Sequence, residues 1–118
     1  MLSRLAAEFA AEIRAHDWSD APYRTDQAGH RRLDDDDAQR SDQVLSDEET
    51  GRVKTNVAWV VGQVLLHADP NFDLREFAHA CDLPRALRYG PSGRPNDAVL
   101  EGTRRDADGE VEAPGEVE

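Results

Sequence analysis

The sequence predicts a small all-α domain, and three observations support this prediction. A segment with helical periodicity and many bulky apolar residues covers residues 47–67. A shorter amphipathic segment covers residues 3–16, and a third apolar stripe follows Asp73. We therefore predict a three-helix domain, with room for a fourth short helix that has Pro84 at its first position.

The first helix is predicted over residues 3–16. Its apolar stripe combines large side chains at three- and four-residue steps with two alanines beside them: Leu2, Leu5, Phe9, Ile13, Ala6 and Ala10. This stripe is narrow, so the helix should need a packing partner to remain folded.

A long acidic connection then covers residues 17–45. Residues 17–50 hold eleven acidic and four basic side chains. Trp18 and Tyr23 flank a turn at Pro22, and a short helix over residues 26–33 is weakened by Gly29. A loop of this length in a compact domain is usually either functional or disordered.

The central helix has the clearest start signal of the chain. Ser46 and Glu49 have the spacing of a capping box, in which each satisfies a backbone amide of the first turn. Its predicted inner stripe contains Val53, Val57, Val60, Val61, Val64, Leu65 and Ala68. A buried strand is excluded because strands of about four to eight residues are far shorter than this pattern.

The central helix is apolar on more than one side. Trp59 and Leu66 extend the stripe around its circumference, so we expect cover from several directions, and a homodimer is one way to provide it. Gly62 predicts the close approach of a neighbouring helix. We expect the substitution Val60→Asp to unfold the domain, because Val60 lies in the predicted inner stripe.

The third helix and the end of the chain differ sharply in composition. Asp73 and Glu76 repeat the cap spacing, and Phe72 and Phe77 have the spacing of a hydrophobic staple. From Gly90 onward, glycine, proline and acidic residues dominate. We therefore predict a helical domain over residues 1–89 and a disordered acidic tail over residues 90–118.

Composition excludes several classes of protein. The net charge of −11 opposes direct binding to nucleic acid or to an anionic membrane. No apolar run reaches the length of a membrane span. Glu8 and Glu12 interrupt the apolar N-terminus, unlike a secretory signal, and the single Cys81 suits a reducing compartment. We expect a cytoplasmic protein.

No pattern in the sequence predicts catalytic, cofactor-binding or metal-binding residues, so we expect no cofactor and no enzyme. Asp69, Asn71 and Asp73 begin like a calcium loop, but Leu74 and Ala80 occupy its required glycine and glutamate positions. His79 and Cys81, with His67, suggest a metal site or a nucleophile. His79 and Cys81 point to different faces of a helix, so an exposed histidine and a buried thiol explain them better.

The candidate partner-binding residues lie in the first connection. Trp18 and Tyr23 are either exposed anchors for a partner protein or a cover for the central helix. The acidic run is either part of that surface or a solvated turn, and it consists of Asp34, Asp35, Asp36 and Asp37. The basic residues of His30-Arg31-Arg32 are expected to pair locally with this run rather than with phosphate.

One segment carries a resemblance to a known group of proteins. Asp69-Pro70-Asn71-Phe72-Asp73, followed by Phe77, Ala80 and Cys81 at helical spacing, resembles small uncharacterised helical proteins of actinobacteria and their phages. The similarity covers residues 18–82, and Asp82 stands where those proteins often have glycine. It implies a helical fold and a phage or prophage origin, with the host cytoplasm as location, and it carries over no activity and no site residues.

The leading functional hypothesis is a non-enzymatic protein-interaction module, with another protein as its partner. One alternative is an acidic decoy that imitates nucleic acid and inhibits a DNA- or RNA-binding protein, which requires carboxylates arrayed on an ordered surface. A second alternative is a small virion structural component, which an oligomer would favour.

Overall fold

The computed structural model describes residues 1–25, 27–34 and 42–116 and confirms the all-α prediction. Its helices are α1 (Arg4–Ala15), α2 (Asp47–Ala68), α3 (Leu74–Ala80) and the short α4 (Arg85–Arg88). Short 3-10 helices cover Ala21–Tyr23, Arg32–Asp34 and Asp97–Gly102. Within the described ranges, extended pairing is limited to two isolated bridges, Tyr89 with Pro95 and Arg105 with Val111.

Hydrogen bonds cap the starts of both α1 and α2, and the capping box predicted for α2 is present. The Ser3 hydroxyl accepts the Ala6 N–H at 3.2 Å. At α2, the Ser46 hydroxyl accepts the Glu49 N–H at 3.1 Å, and the Glu49 carboxylate accepts the Ser46 N–H at 3.0 Å. These bonds satisfy amides that a helix leaves without partners, so both helices begin within one residue of the predicted position.

At α3 only half of the predicted capping box forms. Asp73 Oδ1 accepts the Glu76 N–H at 3.1 Å, as predicted. The Glu76 carboxylate turns instead to the chain start, where it accepts the Leu2 N–H at 3.1 Å and pairs with the Met1 ammonium at 3.2 Å. The staple forms as predicted, with ring centroids of Phe72 and Phe77 5.3 Å apart.

The end of α3 is a Schellman motif centred on Asp82. The Asp82 N–H donates to the His79 carbonyl at 3.0 Å, and the Leu83 N–H donates to the Ala78 carbonyl at 3.2 Å. Asp82 has a φ of +58°, the left-handed conformation that glycine adopts most easily. Asp82 therefore occupies a backbone position that favours glycine.

Small residues form the contacts between the three main helices. Ala6, Ala10, Ala58, Gly62 and Ala78 are all buried. A Cβ at Gly62 would lie 3.2 Å from Leu74 Cδ1, so the predicted close approach at this glycine is confirmed and the neighbour is α3. Large buried side chains surround these contacts and include Phe77, Leu83 and Val99.

The buried sides of α1 and α2 are rotated from the predicted stripes. α1 buries Ala6, Ala10 and Ile13 and exposes Leu5 and Phe9. α2 buries Ala58, Gly62, Gln63 and Leu65 and exposes Val60 and Val64. The reason is that two backbones approach most closely where side chains are smallest, so the alanines and glycine set the inner face.

The expectation that Val60→Asp unfolds the domain is therefore wrong. Val60 is 70% exposed, so a carboxylate at this position would remain in water. The substitution is instead a probe of the surface that α2 presents to solvent.

The second apolar side of α2 is covered by the C-terminal segment. Val99 is buried, and Trp59 packs against Gly102. The Gln63 side chain accepts the Arg104 N–H at 2.6 Å and donates to the Arg104 and Glu112 carbonyls at 3.3 and 2.9 Å. Contacts with the helices thus continue well beyond the predicted boundary at residue 89, and cover for this side does not require a second copy.

We expect Gly102→Ala to lower the free energy of unfolding by roughly 1–3 kcal/mol, a usual cost of overpacking. A Cβ at Gly102 would overlap the Trp59 ring, so the ring or the segment must move. Thermal unfolding followed by circular dichroism measures the change. Gly90→Ala is the matched control, because its Cβ would lie at an ordinary 3.9 Å from the Arg94 carbonyl oxygen. Equal stability of both variants would contradict this packing.

Candidate interaction surface

A buried hydrogen-bonded pair, Asp20 and His30, organises the first connection. Asp20 is fully buried and His30 is 6% exposed. His30 Nε2 lies 3.2 and 3.1 Å from the two carboxylate oxygens of Asp20. The pair joins the two ends of a loop ten residues long. Removing either partner would leave the other as a buried polar group without compensation, which favours keeping the loop closed.

Asp17 gives the same loop a second fixed point. Its carboxylate accepts the Ser19 N–H and hydroxyl at 3.0 and 2.6 Å and the Arg32 N–H at 2.9 Å. Burial alone would raise the pKa of Asp17, but these hydrogen bonds outweigh burial and the net pKa is lowered. The carboxylate is thus held in its charged form.

The predicted aromatic anchors differ in their surroundings. Trp18 is partly buried; its Nε1 donates to the Ile13 carbonyl at 2.8 Å and its ring centroid lies 4.3 Å from that of His16. Tyr23 lies in the 3-10 helix Ala21–Tyr23 and is exposed. Trp18 therefore folds back onto the end of α1, whereas Tyr23 remains accessible to a partner.

Of the four residues of the predicted acidic run, the structure describes Asp34. Asp34 is exposed, with Oδ2 3.8 Å from Arg31 Nε, which agrees with the predicted local pairing of the basic residues. Asp35, Asp36 and Asp37 lie outside the described residues. Within the described connection, Asp34 and Tyr23 are the predicted partner-binding residues that lie at the surface.

The calcium-like residues have structural roles. Asp69 Oδ1 accepts the Asn71 N–H at 2.9 Å and forms a turn, while Asp73 caps α3. Among the residues that the structure describes, no group of three or more histidine, cysteine or carboxylate side chains could hold a metal ion.

In the same described ranges, no helix combines the length and apolarity of a membrane span.

Cys81 does not share a site with the histidines. Cys81 is fully buried, whereas His67 and His79 are exposed. Burial raises the pKa of the Cys81 thiol to about 12, only partly opposed by the Lys54 ammonium. A thiol held in this neutral form is a poor nucleophile near neutral pH.

Among the α-helices, the exposed large apolar side chains lie on α1 and α2. Leu5 is 58% exposed, Phe9 41%, Val60 70% and Val64 47%. Leu5 and Phe9 are one helical turn apart, as are Val60 and Val64, so each pair forms a short row. We name these four residues the α1–α2 face.

The two rows of the α1–α2 face lie on helices that pack against each other. The Leu45 N–H donates to the Ser19 carbonyl at 2.6 Å, which brings the end of α1 to the start of α2, so the helices lie antiparallel. On α2, the inner positions point to α1 and α3, and Trp59 and Gln63 point to the C-terminal segment. The remaining side of α2, which carries Val60 and Val64, faces solvent, as do Leu5 and Phe9 on α1.

The exposed charges of α1 balance one another. Glu8 and Glu12 are exposed on the same helix as Phe9, as are Arg4 and Arg14, and Glu8 is paired with Arg4 at 3.0 Å. An apolar centre with charged residues at its edge is the usual arrangement of a protein–protein interface.

Sequence reasoning identified the apolar residues of this face but assigned them to the core. The signal that could have separated them is the pattern of small residues, because Ala6, Ala10 and Ala58 mark the sides along which helices approach.

Comparisons with family models, with curated proteins and with solved structures give no match.

We expect the titration of Cys81 to appear in stability at alkaline pH. The folded pKa of about 12 exceeds the ordinary value of 9.0, so the folded chain binds more protons between these values. The free energy of unfolding should therefore fall as pH rises from 9 towards 11. Urea unfolding at several pH values would measure this fall. The free energy of unfolding of Cys81→Ala should differ from that of the unmodified chain and should fall less as the pH rises from 9 towards 11. An identical fall in both proteins would contradict the assignment of this titration to Cys81.

Proposed function

We propose that this chain is a non-enzymatic protein-interaction module that binds another protein through the α1–α2 face. The observation that carries the proposal is the exposure of Leu5, Phe9, Val60 and Val64 on two adjacent helices. Apolar surface that forms a contiguous patch, rather than scattered single residues, is typical of binding sites.

Phe9 supports the proposal as a central anchor. Aromatic side chains contribute large contact areas and are frequent among the residues that dominate binding energy. The valines beside it are β-branched and therefore stiff, so they lose little side-chain freedom when they are covered. The face thus presents a rigid surface suited to an apolar groove or helix.

The charge of the chain indicates the chemistry of the partner. A net charge of −11 disfavours the approach of a second copy and favours a partner with basic residues around its apolar contact. A homodimer through the same face is the competing arrangement, and it would be consistent with the virion-component hypothesis.

The acidic-decoy hypothesis draws support from the same net charge and from exposed Asp34. Its required array of ordered carboxylates would have to include Asp35, Asp36 and Asp37, which lie outside the described residues. A phage or prophage origin is supported by the resemblance of residues 18–82 to proteins of actinobacteria and their phages.

Val60→Asp tests the proposed face. We expect this variant to keep the helical circular-dichroism spectrum and to lose partner affinity by about tenfold to a hundredfold, because a charge would have to be buried in an apolar contact. Asn71→Asp is the matched control, since it adds the same carboxylate at an exposed polar position beyond the end of α2 and outside the face. Capture of proteins from an actinobacterial lysate, followed by affinity measurement with the purified partner, provides the readout.

The salt dependence of capture separates the hypotheses. Capture that resists high salt and is lost in Val60→Asp supports the apolar face. Capture of nucleic-acid-binding proteins that disappears at high salt and is unchanged in Val60→Asp would favour the decoy and contradict the proposal. Sedimentation equilibrium of the chain alone determines whether the face instead joins two copies.

A further inference from the structure

A small cavity lies where α3, α4 and the C-terminal segment meet. Its volume is about 100 Å³, enough for a few water molecules or a small organic acid. Its walls contain Arg75, His79, Arg88, Tyr89, Pro95 and Val99. None of these residues belongs to the α1–α2 face, so the cavity is independent of the proposed interaction surface.

Arg88 is fixed in the polar wall of this cavity. Its side chain is 15% exposed. Its Nε donates to the Leu83 carbonyl at 2.8 Å, and its Nη1 lies 2.8 Å from His79 Nδ1. Because a guanidinium only donates, His79 Nδ1 must be the acceptor, which leaves the ring proton on Nε2. Both side chains are therefore held in place with further N–H groups available for a ligand.

A second guanidinium, that of Arg75, also lines the cavity. Arg88 Nη2 lies 3.8 Å from Asp82 Oδ1, which is longer than a hydrogen bond. Arg75 enters the wall from α3 and pairs with the exposed Asp97. One of the two arginines that line the cavity, Arg75, is therefore already paired with an acidic side chain, that of Asp97.

The lining also has an apolar part. Val99 is buried, and Tyr89 and Pro95, which form an isolated bridge, both line the cavity. Arg85 and Arg88 place their guanidinium carbons 4.9 and 5.4 Å from the centre of the Tyr89 ring. Two cations therefore lie close to one of the lining residues.

The local charge is opposite to that of the whole chain. Residues 75–97 contain four arginines and three acidic residues, although the chain carries a net charge of −11. Guanidinium groups beside apolar side chains attract a small anion more strongly than they would on an open surface.

We propose that this cavity is a binding site for a small monocarboxylate with a short apolar body. The carboxylate would accept hydrogen bonds from Arg75 and Arg88, a pairing that matches the planar fork of each guanidinium. The apolar body would lie against Val99, Pro95 and Tyr89. A monoanion suits the site better than a phosphate dianion, because Asp82 and Asp97 already balance part of the arginine charge.

Titration of the ¹⁵N-labelled full chain with sodium butyrate, at constant ionic strength set by sodium chloride, tests the site. We expect saturable amide shifts confined to α3, α4 and the segment around Val99. n-Butanol, which has a similar apolar body without the charge, should bind about tenfold more weakly or more. Equal binding of butanol, or shifts that sodium chloride alone reproduces, would overturn the proposal, as would tighter binding of inorganic phosphate.

Two substitutions test the assigned residues in opposite directions. Arg75→Gln should weaken butyrate binding about tenfold, because it removes a charged donor. Asp97→Asn should strengthen binding several-fold, because it removes the acid that competes for Arg75. Arg52→Gln and Asp108→Asn are the controls on remote exposed positions. Unchanged affinity in both Arg75→Gln and Asp97→Asn, with circular dichroism showing folded protein, would rule out this site.

Discussion

The close contact between α2 and its two helical neighbours is the constraint on which the rest of the structure depends. Ala10 and Ala58 are fully buried, and Gly62 leaves room for Leu74 and Phe77. Backbones that approach this closely gain many weak contacts, and they leave little space for large side chains at the interface. The large apolar residues must then lie around the contact or outside it, which explains both the position of Phe77 and the exposure of Val60.

The same constraint divides the surface of α2 into regions with different neighbours. One side faces α1 and α3, a second faces the C-terminal segment through Trp59 and Gln63, and a third faces solvent through Val60 and Val64. A single helix thus supplies both the core and an accessible apolar surface. The proposed interaction and the proposed anion site lie on separate parts of this arrangement, so each can be tested without altering the other.

Local signals in the sequence predicted the helices well, because their causes are local. Ser46 and Glu49 satisfy amides within one turn, and Pro70 follows directly after the last residues of α2. The orientation of each helix was harder to predict. α1 and α2 each carry more apolar residues than one stripe needs, so hydrophobicity alone did not identify the buried side. The pair of Asp20 and His30 was also missed, since its partners are ten residues apart in a loop without periodicity.

Gln63 has a further consequence for the order in which the chain folds. The contacts of α1, α2 and α3 with one another need no residue beyond α3, but the hydrogen bond from Gln63 to the Glu112 carbonyl spans 49 residues. Closing a longer loop costs more chain entropy, so the Gln63 contacts are the harder ones to form. We therefore expect the helices to assemble before the last segment, and Gln63 to supply the polar contacts that set the register of that segment on α2.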